Sequence, residues 1–158
     1  WSFTERLWPE GKVYYNIPFL SPFKGEIDKA IAYWEENTPL EFIDIEDAPG
    51  QLNYIEFKTS LSRTDSRLGM VGGEQFIRLQ IGIADEYAIR HEIGHAIGLH
   101  HEHSRADRDD YIIVHEENLK NPEDNNYAKY ENSYCHGDFD YVSLMLYPSK
   151  SSSAIETK

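Results

Sequence analysis

An α+β fold is predicted for this chain of 158 residues by three features of its sequence. Short alternating segments fill the first half, two helical apolar stripes interrupt them, and the chain beyond Gly98 is polar, turn-rich and almost without period. Residues 12–18 (KVYYNIP) are rich in β-branched and aromatic types and follow the turn-like Pro9, Glu10 and Gly11, which predicts a first strand. Over residues 25–37, Ile27, Ala30, Ile31 and Trp34 fall at i, i+3, i+4 and i+7, the stripe of an amphipathic helix, and Pro39 ends it. Residues 41–45 and 54–57 alternate and flank the Pro49-Gly50 turn, so each predicts a short strand. Gly72 and Gly73 break the chain before another alternating segment, residues 75–80 (QFIRLQ). Asp85 then suits the N-cap of a second helix running toward Gly98, with Ala88, Ile89, Ile93, Ala96 and Ile97 on its buried side. No repeat, low-complexity linker or second core is expected, and the Ser-rich tail 149–158 is expected to be loosely held.

Charge narrows the function. With 15 Lys and Arg against 28 Asp and Glu, the formal charge is −13. Nucleic acid is an unsuitable partner, because affinity there comes mainly from cations that displace counterions from phosphates. An anionic membrane surface is excluded on the same ground. No apolar run approaches the ~18 residues of a membrane span, and residues 1–9 lack a basic stretch followed by an apolar one. A single cysteine, Cys135, rules out an intrachain disulfide, so the core, alone or with a metal, must supply stability.

The metal signal is concentrated. Five of the seven histidines lie between positions 91 and 103. On a helix turning about 100° per residue, His91 and His95 are ~40° apart around the axis and ~6 Å apart along it, so both imidazoles reach one ion. Glu92 lies ~100° away, too far round to complete the clamp and placed to hold a water by hydrogen bonding: a base, not a ligand. Gly98 can adopt the left-handed conformation that ends a helix, so the chain turns back and delivers His101 to the third position. Three neutral imidazoles with an open, water-occupied position suit a catalytic Zn²⁺. His100 and His103 fall outside that register and are expected to be exposed or to lie behind the ligands.

The pattern H-E-x-x-H-x-x-G-x-x-H over residues 91–101, with the Met-containing segment 140–147 (DYVSLMLY) downstream, resembles the metzincin zinc endopeptidases. Within that clan, Glu102 and the continuation to Asp109 (EHSRADRD) resemble the astacins, as do Leu7-Trp8, Trp34-Glu35, 55–57 (IEF) and 72–75 (GGEQ) in their order along the chain. The resemblance covers most of residues 7–148. It implies a metzincin-like architecture in a single peptidase domain, 1–158. A twisted N-terminal sheet with two helices (about 1–101) and an irregular C-terminal subdomain (about 102–158) would lie on either side of a zinc cleft. It also implies a zinc endopeptidase acting on extended polypeptides, with one Zn²⁺ per chain, and a propeptide or inhibitor as a further partner. By the same resemblance the protein is secreted or extracellular.

For single residues, the resemblance implies that Met145 forms an apolar floor beneath the zinc ligands. Tyr147 would be a switchable ligand whose phenol leaves the metal to hydrogen-bond the transition state, which makes it both a metal and a catalytic residue beside Glu92. Glu102 would be buried near the chain's N-terminal segment, linked to the mature terminal ammonium. Arg105, Asp107 and Arg108 are expected to form a structural ion-pair network, Cys135 to be an inert free thiol, and residues 64–68 to form the upper cleft edge that binds substrate as an added strand. Two departures stand out: astacin domains usually carry two disulfides and continue well past the Met-turn. The first suggests a bacterial-type member, the second that a C-terminal portion lies beyond Lys158. A module that keeps the ligands but has lost turnover is the competing expectation, and intact Glu92 and Tyr147 count against it.

Overall fold

The computed structural model describes residues 2–3, 6–119, 125–131, 133–147 and 154–158. The chain divides into two units: Glu5–Gly98, and Trp1–Thr4 with Leu99–Lys158. Its strands and helices are β1 (Ser2–Phe3), β2 (Lys12–Asn16), α1 (Lys24–Asn37), β3 (Glu41–Asp44), β4 (Tyr54–Ser60), β5 (Glu74–Gln80), α2 (Glu86–Ala96), β6 (Ile112–Val114), β7 (Tyr134–Cys135) and β8 (Ile155–Thr157), joined by short 3₁₀ turns.

The unit Glu5–Gly98 is a four-stranded sheet of order β3-β2-β4-β5 with α1 and α2. Every strand pair in it is parallel. Strand β2 stops at Asn16, two residues short of the predicted end, where the turn carrying Pro18 begins. Strand β4 runs three residues further than its alternation foretold, because Lys58, Thr59 and Ser60 find partners in Arg78, Leu79 and Gln80. Ile55 and Phe57 on β4 and Ile77 and Leu79 on β5 are buried, the alternation of a sheet with one covered face. Gln75 shares that buried row, and its amide is satisfied: Nε2 donates to the Gly69 carbonyl (3.0 Å) and Oε1 accepts from the Val71 N–H (3.0 Å). A buried polar group thereby fixes the loop ahead of its own strand.

Helix α1 buries the predicted stripe of Ile27, Ala30, Ile31 and Trp34. Trp34 also donates its indole N–H to the Arg90 carbonyl (3.0 Å), tying α1 to α2, while Trp8 donates to the Ala96 carbonyl (2.8 Å) at the far end of α2. Burying an indole requires such a partner, so these two contacts set where α2 lies along the core.

The other unit is held by two antiparallel pairs, β1 with β7 and β6 with β8. Two expectations are corrected here. A second core exists: Ile112, Phe139 and Ile155 are buried together, with Tyr111, Val114, Tyr127, Leu146 and Tyr147 packed on them. These side chains come from two three-residue strands and from loops far apart in sequence, too short to leave a periodic trace. The tail is not loose throughout, since Ile155, Glu156 and Thr157 pair with Val114, Ile113 and Ile112, and Ala154 and Ile155 are buried. The remainder of the Ser-rich stretch, 149–153, lies outside the described residues.

Candidate metal centre

Helix α2 begins where its cap requires, with Asp85 Oδ1 accepting the Ala88 N–H at 2.9 Å. Ile89, Ile93 and Ala96 bury one face of the helix, and this turns His91 and His95 toward the half-buried side. Their rings meet edge to face with centroids 4.7 Å apart. At the other end, Gly98 has φ +113° and donates its N–H to the His95 carbonyl (2.9 Å), a conformation in which any other residue would be strained. The same carbonyl accepts from the Gly69 N–H (2.8 Å), so the chain ahead of β5 is fastened to the last turn of the helix.

Glu92 is 9% exposed, and its carboxylate accepts a hydrogen bond from the Ser66 hydroxyl at 2.6 Å. Burial pushes its carboxyl up to about 7; the Ser66 bond opposes that shift and the nearby Asp65 charge adds to it. A carboxyl placed near neutrality on the helix that carries His91 and His95 is equipped to take and return a proton. Ser66 was not singled out by its sequence position. It belongs to the predicted cleft edge, residues 64–68, which the structure sets along β5: Asp65 and Arg78 exchange both backbone hydrogen bonds in an antiparallel bridge (3.1 and 2.9 Å).

In the unit Leu99–Lys158, His101 is half-buried, its ring stacked on His103 with centroids 4.8 Å apart and packed on Tyr147 at 4.6 Å. Of the two places expected for His103, exposure is the one the structure overturns: the residue is wholly buried. Its Nε2 lies 3.0 Å from the Asn126 carbonyl, which can only accept, so Nε2 carries the hydrogen and Nδ1 is left to accept the Tyr147 N–H at 3.4 Å. The ring thereby stands fixed against His101 and Tyr147. His100 lies apart from this stack, against Tyr130 (4.3 Å), with burial lowering its pKa.

Met145 is buried at 1% exposure, and its carbonyl accepts the Glu102 N–H (2.9 Å). Glu102 is equally buried; its carboxylate accepts from the Asp140 N–H (3.0 Å) and from Arg105 (3.1 Å). The expected link from Glu102 to the terminal ammonium concerns Trp1, outside the described residues. Arg105 uses all five of its N–H donors: Nε and Nη2 grip Asp107 at 2.9 Å each, Nη1 reaches Glu102 and the Asp138 carbonyl, and Nη2 also reaches the Gly137 carbonyl. Arg108 donates to the carbonyls of His103 and Tyr127 and pairs with Asp109. These ion pairs hold the loops that carry His103 and the Met-turn. Cys135 is a half-buried free thiol.

The Arg105 pair holds the Asp107 carboxyl below the usual carboxylate range. Its contribution to stability is therefore complete above the unfolded pKa of about 3.9 and is lost as pH falls through the lower folded value. Asp107→Asn should be less stable than the parent at pH 7, and the gap should narrow steadily below about pH 4. Urea unfolding of the zinc-free proteins across that range measures it.

Among the described residues, the group of His, Cys, Asp or Glu that could hold a metal ion is His91, His95 and His101. Three imidazoles with no thiolate or carboxylate form a donor set that fits Zn²⁺. The family model described as Astacin, a peptidase family, matches residues 2–158. The chain is 38% identical over 151 residues to "Astacin-like metalloprotease toxin 1" of Loxosceles intermedia, covering 92% of this chain and 56% of that protein. It is 37% identical over 151 residues to "Astacin-like metalloprotease toxin 5" of Loxosceles gaucho, covering 94% and 80%. The chain thus spans about half the length of the first of these relatives. Among solved structures, High choriolytic enzyme 1, a hatching enzyme zinc-protease of Oryzias latipes, superposes with a TM-score of 0.81 at 24% identity, over 96% of this chain and 79% of that one, a likeness of fold.

Proposed function

Because this chain belongs to the astacin family of peptidases, we propose that it is a zinc-dependent endopeptidase that hydrolyses peptide bonds of extended polypeptides, with His91, His95 and His101 holding one Zn²⁺. The observation that carries this reading is local to α2: two half-buried imidazoles one turn apart, a buried carboxyl pushed up to about 7 on the residue after the first of them, and a left-handed glycine ending the helix. When bound, the metal supplies a water of lowered pKa and polarises the scissile carbonyl. Glu92 accepts the water proton and returns it to the leaving amine. The backbone of residues 64–68 accepts the substrate as a further strand, so extended peptides are taken with little regard to sequence. Extracellular action accords with the toxin and hatching-enzyme names of its relatives.

Incubating zinc-loaded protein with an unfolded polypeptide, with and without chelator, and mapping the cuts by mass analysis tests the proposal. Cleavage at many internal sites, abolished by chelator, is expected. Intact polypeptide in the presence of stoichiometric zinc would overturn it.

Tyr147 is proposed as the donor to the developing oxyanion. Its ring packs on His101 and His103 (4.6 and 4.4 Å), and its backbone N–H is anchored on His103, which supports a phenol that turns about its side-chain bonds on a fixed backbone. Tyr147→Phe removes only the hydroxyl. Loss of one oxyanion donor costs about 10²–10³ in kcat, and a drop near the lower end is expected because zinc carries part of the charge. KM and zinc content should stay unchanged, and wild-type turnover in Tyr147→Phe would reduce this tyrosine to packing.

A further inference from the structure

We infer that Ser66 is a positioning residue that ties the substrate-pairing edge to the Glu92 carboxylate; the inference rests on the endopeptidase reading above. Its hydroxyl donates to Glu92 at 2.6 Å, a charge-assisted contact on a carboxylate that is itself almost wholly buried. Four neighbouring contacts hold Ser66 in place. Thr64 Oγ1 accepts the Gln80 N–H (3.0 Å), Asp65 is bridged by backbone to Arg78, the Asp65 carboxylate takes Arg78 in a two-point grip (2.6 and 2.7 Å), and the Gly69 N–H is fixed on the His95 carbonyl (2.8 Å).

Side chains alternate along this extended stretch. Asp65 reaches Arg78 on one face of the sheet edge, and Ser66 reaches α2 on the other. A peptide that adds to this edge by backbone pairing loads the same short segment whose contacts hold the hydroxyl. Rotation of the carboxylate about its side-chain bonds is what Ser66 prevents, leaving one Glu92 oxygen committed to the hydroxyl and the other directed to the proton it must take. Substrate docking and base alignment are thereby one mechanical event. Displacements of about 1 Å at a reacting group cost up to ~10² in rate, so a lost tether is read in turnover before it is read in binding.

The experiment compares zinc-loaded wild type, Ser66→Ala and Ser66→Thr for kcat, KM, zinc content and melting temperature, alongside crystal structures of the wild type and Ser66→Ala. Ser66→Ala should lower kcat about tenfold or more, less than the ~10²–10⁴ that a general base supplies. KM, zinc content and melting temperature should be unchanged, Ser66→Thr should restore most of kcat, and the Glu92 carboxylate should occupy more than one orientation in Ser66→Ala. Equal kcat in Ser66→Ala, or an unmoved single carboxylate orientation, overturns the inference. A melting temperature that falls together with kcat and is not restored by Ser66→Thr assigns Ser66 a purely structural role and also overturns it. Wild type that cuts no peptide while its carboxylate is still released in Ser66→Ala counts against the endopeptidase reading and leaves the tether standing.

Discussion

Glu92→Gln should bind one zinc as tightly as the parent and lose at least ~10²–10⁴ of kcat, because the amide keeps the shape of the carboxylate and cannot accept the water proton. Two observations make the separation clean. Ser66 can donate to the amide oxygen of Gln as it does to Glu92, so the side chain stays anchored. Burial that lifts the carboxyl to about 7 also means that ionising Glu92 opposes folding of the metal-free chain. That cost appears as pH rises past the ordinary carboxylate pKa and is complete above about 7, so metal-free Glu92→Gln should be at least as stable as the parent at pH 8. Metal analysis, single-turnover cleavage and urea unfolding are the three measurements. Retention of a tenth of wild-type kcat would remove Glu92 from its role.

Arg105→Ala should produce the largest loss of stability among single substitutions outside the metal ligands. The guanidinium is 1% exposed and every donor is spent. Its removal takes from the buried Glu102 carboxylate the charge-assisted bond it accepts from Nη1 and withdraws the donors that serve the carbonyls of Gly137 and Asp138. Breaking a buried pair from one side costs about 3–5 kcal/mol. Arg105→Lys keeps the charge but not the fork, and should recover only part. Because Glu102 also accepts the Asp140 N–H and donates its own N–H to the Met145 carbonyl, the loss should spread to the Met-turn. Hydrogen exchange at residues 140–147 would reveal it, and a stability change under about 1 kcal/mol would refute the account.

Helix α2 was legible because cap, stripe and terminator are all local: Asp85, the Ile89 and Ile93 face, and Gly98 can each be read without knowing what packs on them. The placement of His91 and His95 one turn apart was legible for the same reason, since helical geometry fixes their spacing. The burial of His103 was not, because it depends on Tyr147, Tyr127 and Asn126, at least 23 positions away in sequence. Strand β8 was hidden by composition: a Ser-rich approach masks three residues whose role is set by Ile112–Val114. Ser66 carried no signal because its partner, Glu92, lies 26 residues on.

The place of β2 between β3 and β4 also dictates an order of assembly. The strand leaves the ribosome before either neighbour, and parallel partners reach it only after a crossover has closed, which makes such pairings slow. Helix α2, at 11 residues, is too short to persist alone in water and waits for β5 and α1 to cover its apolar face. His91 and His95 therefore come into register late, after the sheet has grown outward from β2. On that order zinc meets a frame already formed, so refolding in zinc and in chelator is expected to proceed at the same rate.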